Sequence, residues 1–169
     1  MKTDTLRIMW KTIPGFSNYE ASSDGQIRSR GRDVHYSDGR NGRVQERILK
    51  QSIQTHRTGF QRYQVNISDD TGRFRPRRVH QLVALAFLGP SEGRETRHIN
   101  GDSLDNEAGN LRYGTRLENT RDAITHGTHH NANKTHCKWG HEFTSENTGI
   151  TQATGYRWCK ACRKIRQSR

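Results

Sequence analysis

One stretch of the chain is strongly apolar. In Val79-His80-Gln81-Leu82-Val83-Ala84-Leu85-Ala86-Phe87-Leu88 the apolar residues at 79, 82, 83, 86 and 87 share a helical face, and Gly89-Pro90 stops the run. The pattern predicts a helix that supplies a core. Upstream, Tyr63-Gln64-Val65-Asn66-Ile67-Ser68 alternates apolar and polar positions as a half-buried strand does, with Asp69-Asp70-Thr71-Gly72 as its turn. The return segment, Arg73 to Arg78, sets Arg73, Arg75, Arg77 and Arg78 around Phe74 and Pro76, so it reads as a basic strand with one exposed face. Ile48-Leu49-Lys50 begins another short strand, and Asp24-Gly25 between two short strands is a hairpin signal. Trp10, Phe16 and Tyr19 flank Pro14-Gly15 and read as the core of a small N-terminal module. Residues 31–46 are polar and aperiodic, and are expected to be a mobile loop. Leu117 to Thr125 is polar but helix-compatible, and Gly127 has the character of a helix terminator.

Composition changes this picture in two ways. Over 169 residues only 29% are hydrophobic and 27% are charged, with mean hydropathy −1.10. That is a thin supply for one large core, so two or three small modules joined by solvated segments, and stapled by a metal or ligand, fit better. The net charge is +12, from 29 basic and 17 acidic residues, which favours a polyanionic partner. No apolar run approaches the roughly 20 residues of a membrane span, and Met1 to Met9 lack the apolar stretch of a signal peptide. Nucleic acid is therefore the expected polyanion, with no membrane partner and a cytoplasmic location. Arg28 and Arg30, which alternate onto one face of a strand, and Arg32 are the N-terminal contact candidates, with Arg73, Arg75, Arg77 and Arg78 further on.

All three cysteines follow residue 136. Cys137-Lys138-Trp139-Gly140-His141 and Cys159-Lys160-Ala161-Cys162 make C-x3-H and C-x2-C, with seventeen residues between them. Two thiolates in a tight C-x2-C turn reach one ion, and Cys3His is an ordinary tetrahedral zinc set. Four protein ligands close the coordination sphere, so this one zinc reads as structural. His136 is a rival to His141. Around the set lie Lys134, Lys138, Arg157, Lys160, Arg163, Lys164, Arg166 and Arg169, a surface suited to phosphates; Lys160 and Arg163 are its leading contact candidates. His126, His129 and His130 either hold metal or line a loop facing nucleic acid, and the loop is the simpler reading. His80, inside the apolar run, reads as a structural hydrogen-bonder.

The residues with chemistry are His98, Asn110 and Asn119, with eleven and eight residues between them, in Arg97-His98-Ile99-Asn100-Gly101-Asp102, Asn110-Leu111-Arg112-Tyr113-Gly114-Thr115 and Glu118-Asn119. This stretch resembles the HNH class of nucleases. The segment from Trp10 to Ser22 resembles the N-terminal module of phage and intron-encoded HNH endonucleases, and the C-terminal Cys/His segment resembles the short zinc modules of phage HNH proteins. The resemblance implies a two-stranded hairpin and a helix holding one divalent ion, Mg2+ or another, against a DNA phosphate. His98 would be the general base, Asn110 would orient it and tie the hairpin loop, and Asn119 would be a metal ligand from the start of the helix. One position departs from the family: many relatives carry an acidic metal ligand directly before the base, and here it is Arg97. Either Asn119 holds the ion with water alone, or a nearby carboxylate such as Asp122, on the same helical face, substitutes, or the site is degenerate. In an active site Arg97 would serve as a cation beside the phosphate.

The fold class expected is α+β, with small antiparallel sheets around a ββα-metal nuclease core and a zinc-stapled C-terminal module. The boundaries expected are 1–52, 53–130 and 134–169. The activity expected is metal-dependent endonucleolytic cleavage of double-stranded DNA, of the homing type, by a chain whose oligomeric state is open, with a monomer favoured. The alternative is a non-catalytic DNA-binding protein on the same scaffold. An RNA-binding zinc protein is more remote, since no RNA-recognition motif with stacking aromatics is visible.

Overall fold

The computed structural model describes residues 7–57, 59–152 and 156–168; Arg169, among the basic residues noted above, lies outside them. The chain forms two compact units, Met1–His126 and Gly127–Arg169. In the first, six strands come in succession: β1 (Trp10–Ile13), β2 (Phe16–Ser22), β3 (Ile27–Ser29), β4 (Arg32–His35), β5 (Asn41–Val44) and β6 (Arg47–Ile48). They make an antiparallel sheet in the order β1-β2-β3-β6 and a separate β4-β5 ribbon. Then follow β7 (Ser52–Thr55), β8 (Gln61–Ser68) and β9 (Phe74–Arg78), paired in that order, and helix α1 (Val79–Leu88). The hairpin β10 (Glu95–His98) and β11 (Leu111–Gly114) is closed by helix α2 (Arg116–Thr125). The second unit holds the hairpin β12 (Thr148–Ile150) and β13 (Arg157–Cys159), then α3 (Lys160–Gln167). The architecture is thus α+β with small antiparallel sheets. Among the described residues no helix is long and apolar enough to cross a membrane.

The helix read from periodicity spans Val79–Leu88, and its buried positions are Val79, His80, Leu82, Val83 and Ala84. Ala86 and Phe87 are only half-buried; Lys11 sits over the Phe87 ring at 4.8 Å. The strand over residues 63–68 is longer than the alternation suggested, and Val65 and Ile67 point into the core. These residues pack with Ile13, Phe16, Tyr19, Ala21, Ile27 and Leu111 in one cluster. A single core therefore spans the boundary expected near residue 52. A four-stranded sheet this small has too little apolar surface to bury alone, and α1 covers it. Trp10 stays half-exposed at the sheet's edge beneath the Arg28 guanidinium, at 4.3 Å.

Residues 31–46 depart from the expected mobile loop. They form the β4-β5 ribbon, turning at Asp38-Gly39, where Gly39 takes φ +84. The ribbon is held by polar cross-strand pairs, such as His35 Nδ1 with Asn41 Oδ1 at 2.5 Å and Asp33 with Arg43 at 3.6 Å, and by Tyr36 against Gly42. Nothing in it alternates against a core, so no hydrophobic period announces it. The strand expected to start at Ile48 is the two-residue β6.

Candidate active site and metal centre

Strand alternation divides the site between the two faces of the β10-β11 hairpin. On one side His98 meets α1: its ring lies 5.3 Å from that of His80, edge to face. Its Nε2 is 3.3 Å from Asn106 Oδ1. Burial draws the His98 pKa below its usual value, against the opposing pull of Asn106, Asp105 and Asp102. His80 is held at about 3, first by burial and then by the charges of His98, Arg78 and Arg62. Its Nδ1 is buried without a hydrogen-bond partner, so His80 is not the hydrogen-bonder expected at that atom. Both rings are neutral at physiological pH, and a neutral imidazole is the form that accepts a proton.

The Asn110 side chain bonds within the hairpin loop. Its Oδ1 accepts from the Asn100 N–H at 3.0 Å, and its Nδ2 donates to Asn100 Oδ1 at 3.0 Å and the Asp105 carbonyl at 2.9 Å. These bonds stay within the loop, and the residue that meets the His98 ring is the buried Asn106. Asn106 is propped by the N-terminal hairpin: Gly25 takes φ +87 and approaches it so closely that a Cβ there would lie 3.0 Å from Asn106 Cβ. Next to it the Ala108 N–H donates to the Ser23 carbonyl at 2.9 Å. Eight residues separate Asn106 from His98 with a loop between, so no periodicity links them.

On the other face Arg97 is 5% exposed and clamps α2 to the hairpin. Its Nε donates to Asp122 Oδ2 at 2.8 Å, with a second bond from Nη2, and Nη1 lies 3.3 Å from Glu118 Oε2. The close approach of Gly114 makes room for it, since a Cβ there would collide with the guanidinium. Two expectations change as a result. Arg97 is a covered strut rather than a cation offered to a phosphate. Asp122 is committed to it, with a pKa lowered chiefly by the Arg97 hydrogen bond, and is not a free metal ligand. Glu118 also closes a capping box with Thr115 at the start of α2.

Asn119 Nδ2 donates instead to Glu95 Oε2 at 2.6 Å. An amide and a carboxylate side by side suit Mg2+, which takes oxygen ligands and keeps several waters. Glu95 stands outside the residues that the sequence pattern singles out. Its place two residues before Arg97, and so on the same face of β10, was the available signal.

In the second unit the donor atoms of Cys137, His141, Cys159 and Cys162 all lie within 4.8 Å of one another. Cys137 Sγ is 3.6 Å from Cys162 Sγ and 3.5 Å from His141 Nδ1, close to the edges of a zinc tetrahedron. The Cys162 N–H, first among several hydrogen bonds, draws Cys159 down to about 7, while burial foremost pushes Cys162 up to about 11. His136 does not join the set; it pairs with Thr135 Oγ1 at 2.9 Å. His126 stands against Gly101 at the end of α2, and His129 Nδ1 accepts the Ala132 N–H at 3.1 Å.

The basic residues sort themselves. Arg28 is bound to Glu20 at 2.6 Å and Glu46 at 3.0 Å, and Arg30 reaches Glu20 at 3.8 Å from the same side. Arg77 pairs with Asp69 at 3.1 Å and lies over the Phe16 ring, half-buried. Arg73, Arg75, Arg78 and Lys160 are exposed, as is Arg163, which stacks on Trp158 at 4.7 Å.

Residues 9–66 match the NUMOD4 motif and residues 77–121 match the HNH endonuclease family. An uncharacterized HNH endonuclease of Acanthamoeba polyphaga mimivirus is 32% identical over 121 residues, covering 69% of this chain and 26% of its own length. A second from the same virus is 32% identical over 119 residues, covering 70% and 30%. The chain thus spans less than a third of either relative. A solved structure described as DNA binding and cleavage by the HNH homing endonuclease I-HmuI superposes with TM-score 0.51 at 27% identity, over 71% of this chain and 60% of that one.

Proposed function

Because the chain belongs to the HNH homing endonuclease family, we propose that it is a divalent-metal-dependent endonuclease hydrolysing phosphodiester bonds of double-stranded DNA, with His98 as general base. The observation that carries this reading is the half-buried His98 ring held between His80 and Asn106. With its Nε2–H donated to Asn106 Oδ1, the neutral ring keeps its Nδ1 lone pair for the proton of an attacking water. Asn110 keeps the loop that carries Asn106 closed, and Arg97 holds α2 at the opposite face. Asn119 and Glu95 are the residues to hold the ion. When bound, a divalent cation neutralises charge on the phosphate and on the leaving oxygen. Arg73, Arg75 and Arg78 supply backbone contacts.

Arg97 was the motive for a non-catalytic DNA-binding reading. Matched by Asp122 and Glu118, it adds no unbalanced positive charge to repel a metal. The test is nicking of supercoiled plasmid with Mg2+ by wild type and His98→Ala, alongside duplex binding. Cleavage by the wild type alone, with equal binding, supports the nuclease. Binding without cleavage by either leaves DNA binding as the function. A separate readout addresses the ligands: Mn2+ binding followed by electron paramagnetic resonance should weaken in Glu95→Gln and in Asn119→Ala.

A further inference from the structure

The second unit contains a groove that shares Cys137, Cys159 and Cys162 with the zinc set and extends beyond them. It encloses about 710 Å³ and is lined by Trp139, Trp158, Lys138, Arg157, Arg163 and Arg166, among others. Among the described residues no carboxylate lines it.

The two indoles are held differently. Trp158 is a wall. One face lies on Gly149, where any Cβ would collide with the ring, and the Arg163 guanidinium covers it 4.7 Å from the centroid. Arg157 is likewise fixed, over the Phe143 ring at 4.2 Å and donating to the Asn131 and Lys134 carbonyls at 2.6 and 2.7 Å. Trp139 is a platform. It is 67% exposed although it sits in the hydrogen-bonded turn between two zinc-set residues. Its N–H donates to Cys137 Sγ at 3.3 Å, and Gly140, at φ +81, returns its N–H to the Cys137 carbonyl at 3.0 Å. The ligand turn therefore fixes the backbone beneath the indole, so little main-chain entropy is left to lose on stacking, and Lys138 Nζ stands 5.6 Å from its ring.

We propose that this groove binds single-stranded DNA, with an unpaired base stacked on Trp139 and the backbone against Lys138, Arg163 and Arg166. An aromatic ring in a cation-lined groove is how single strands are held without sequence preference. Duplex backbone needs the cations alone, because every base in a duplex already has both faces covered. An exposed isolated apolar residue is ordinary on a protein surface. What sets Trp139 apart is its place on a hydrogen-bonded turn beside a concave surface of one charge sign.

The inference rests on the zinc reading of Cys137, His141, Cys159 and Cys162, and not on cleavage by the first unit. The test uses the full chain, with zinc content measured for every variant. Fluorescence anisotropy compares an oligodeoxythymidylate of about 15 nucleotides with a duplex of the same length. Trp139→Ala should weaken single-strand binding roughly 5- to 150-fold, the loss expected for one stacked base, and leave duplex affinity unchanged. Trp139→Tyr should retain most of the single-strand affinity. Equal losses on both DNAs, or unchanged single-strand binding by a zinc-replete Trp139→Ala chain, overturn the proposal. A wild-type chain without zinc overturns the metal centre and the groove built on it together.

Discussion

Replacing His80 by leucine should remove much of the acid sensitivity of the first unit. His80 is buried beside His98, and burial together with the charges of His98, Arg78 and Arg62 holds its pKa at about 3 against an ordinary 6.5. Above pH 6.5 both the folded and the unfolded chain keep this ring neutral, so it makes no pH-dependent contribution. Below 6.5 the unfolded chain takes up a proton that the folded chain refuses, so stability falls as pH falls, down to about 3. At pH 5, about 1.5 units into that window, the loss is about 2 kcal/mol at ~1.36 kcal/mol per unit. That is a large part of the ~5–15 kcal/mol that ordinarily separates folded from unfolded. Leucine has a similar volume and leaves no orphaned ring nitrogen, so His80→Leu should match the wild type near pH 7.5. The assay is urea unfolding at several pH values, followed by Trp10 emission in a background carrying Trp139→Phe and Trp158→Phe, which silences the second unit. His98 titrates in both proteins and cancels to first order. If the two proteins lose stability in parallel between pH 7.5 and 5, the ring is not held neutral by burial, and the account of the His80–His98 pair fails with it.

Four further outcomes follow from the site. His98→Ala should lower plasmid nicking by about 10²–10⁴-fold, the usual contribution of a general base, without changing duplex affinity; nicking at the wild-type rate would remove His98 from the role. Arg97→Ala should destabilise the first unit by about 2 kcal/mol, the usual worth of hydrogen bonds to a charged group, since it leaves Asp122 only the more distant Arg112 at 3.7 Å; a midpoint of denaturation that does not move would show that Arg97 is no strut. Arg73→Ala and Arg78→Ala should each reduce the salt dependence of duplex binding by about one unit of slope, whereas Arg77→Ala should lower stability instead, because Arg77 is tied to Asp69; the opposite assignment in a salt titration would reverse the sorting. Cys162→Ser should abolish the one zinc per chain found by elemental analysis and expose the amides of the second unit, since structural zinc contributes on the order of 10 kcal/mol to such small folds; protection that persists without zinc would count against a structural metal.

Local patterns carried a definite part of this protein. The 79–88 helix, the strand ending at Ser68 with its Asp69–Gly72 turn, and the helix ending at Thr125, two residues before Gly127, all follow from hydrophobic period or turn chemistry, which act over a few residues. The Cys137–His141 and Cys159–Cys162 spacings are also local, and the structure brings all four donors together. The β4-β5 ribbon escaped because polar cross-strand pairs hold it and no apolar stripe marks it. The partners inside the candidate site escaped for a different reason. Asn106 rather than Asn110 meets His98 because a loop propped by Gly25 carries it there. Glu95 meets Asn119, and Arg97 meets Asp122, across sequence separations of 24 and 25 residues. Residue types and spacings name the groups that can do the chemistry, because those depend on composition and short-range geometry. Which groups touch depends on antiparallel register, on the face each strand residue takes and on where a loop is buttressed, and those are set only when distant segments compete for one core.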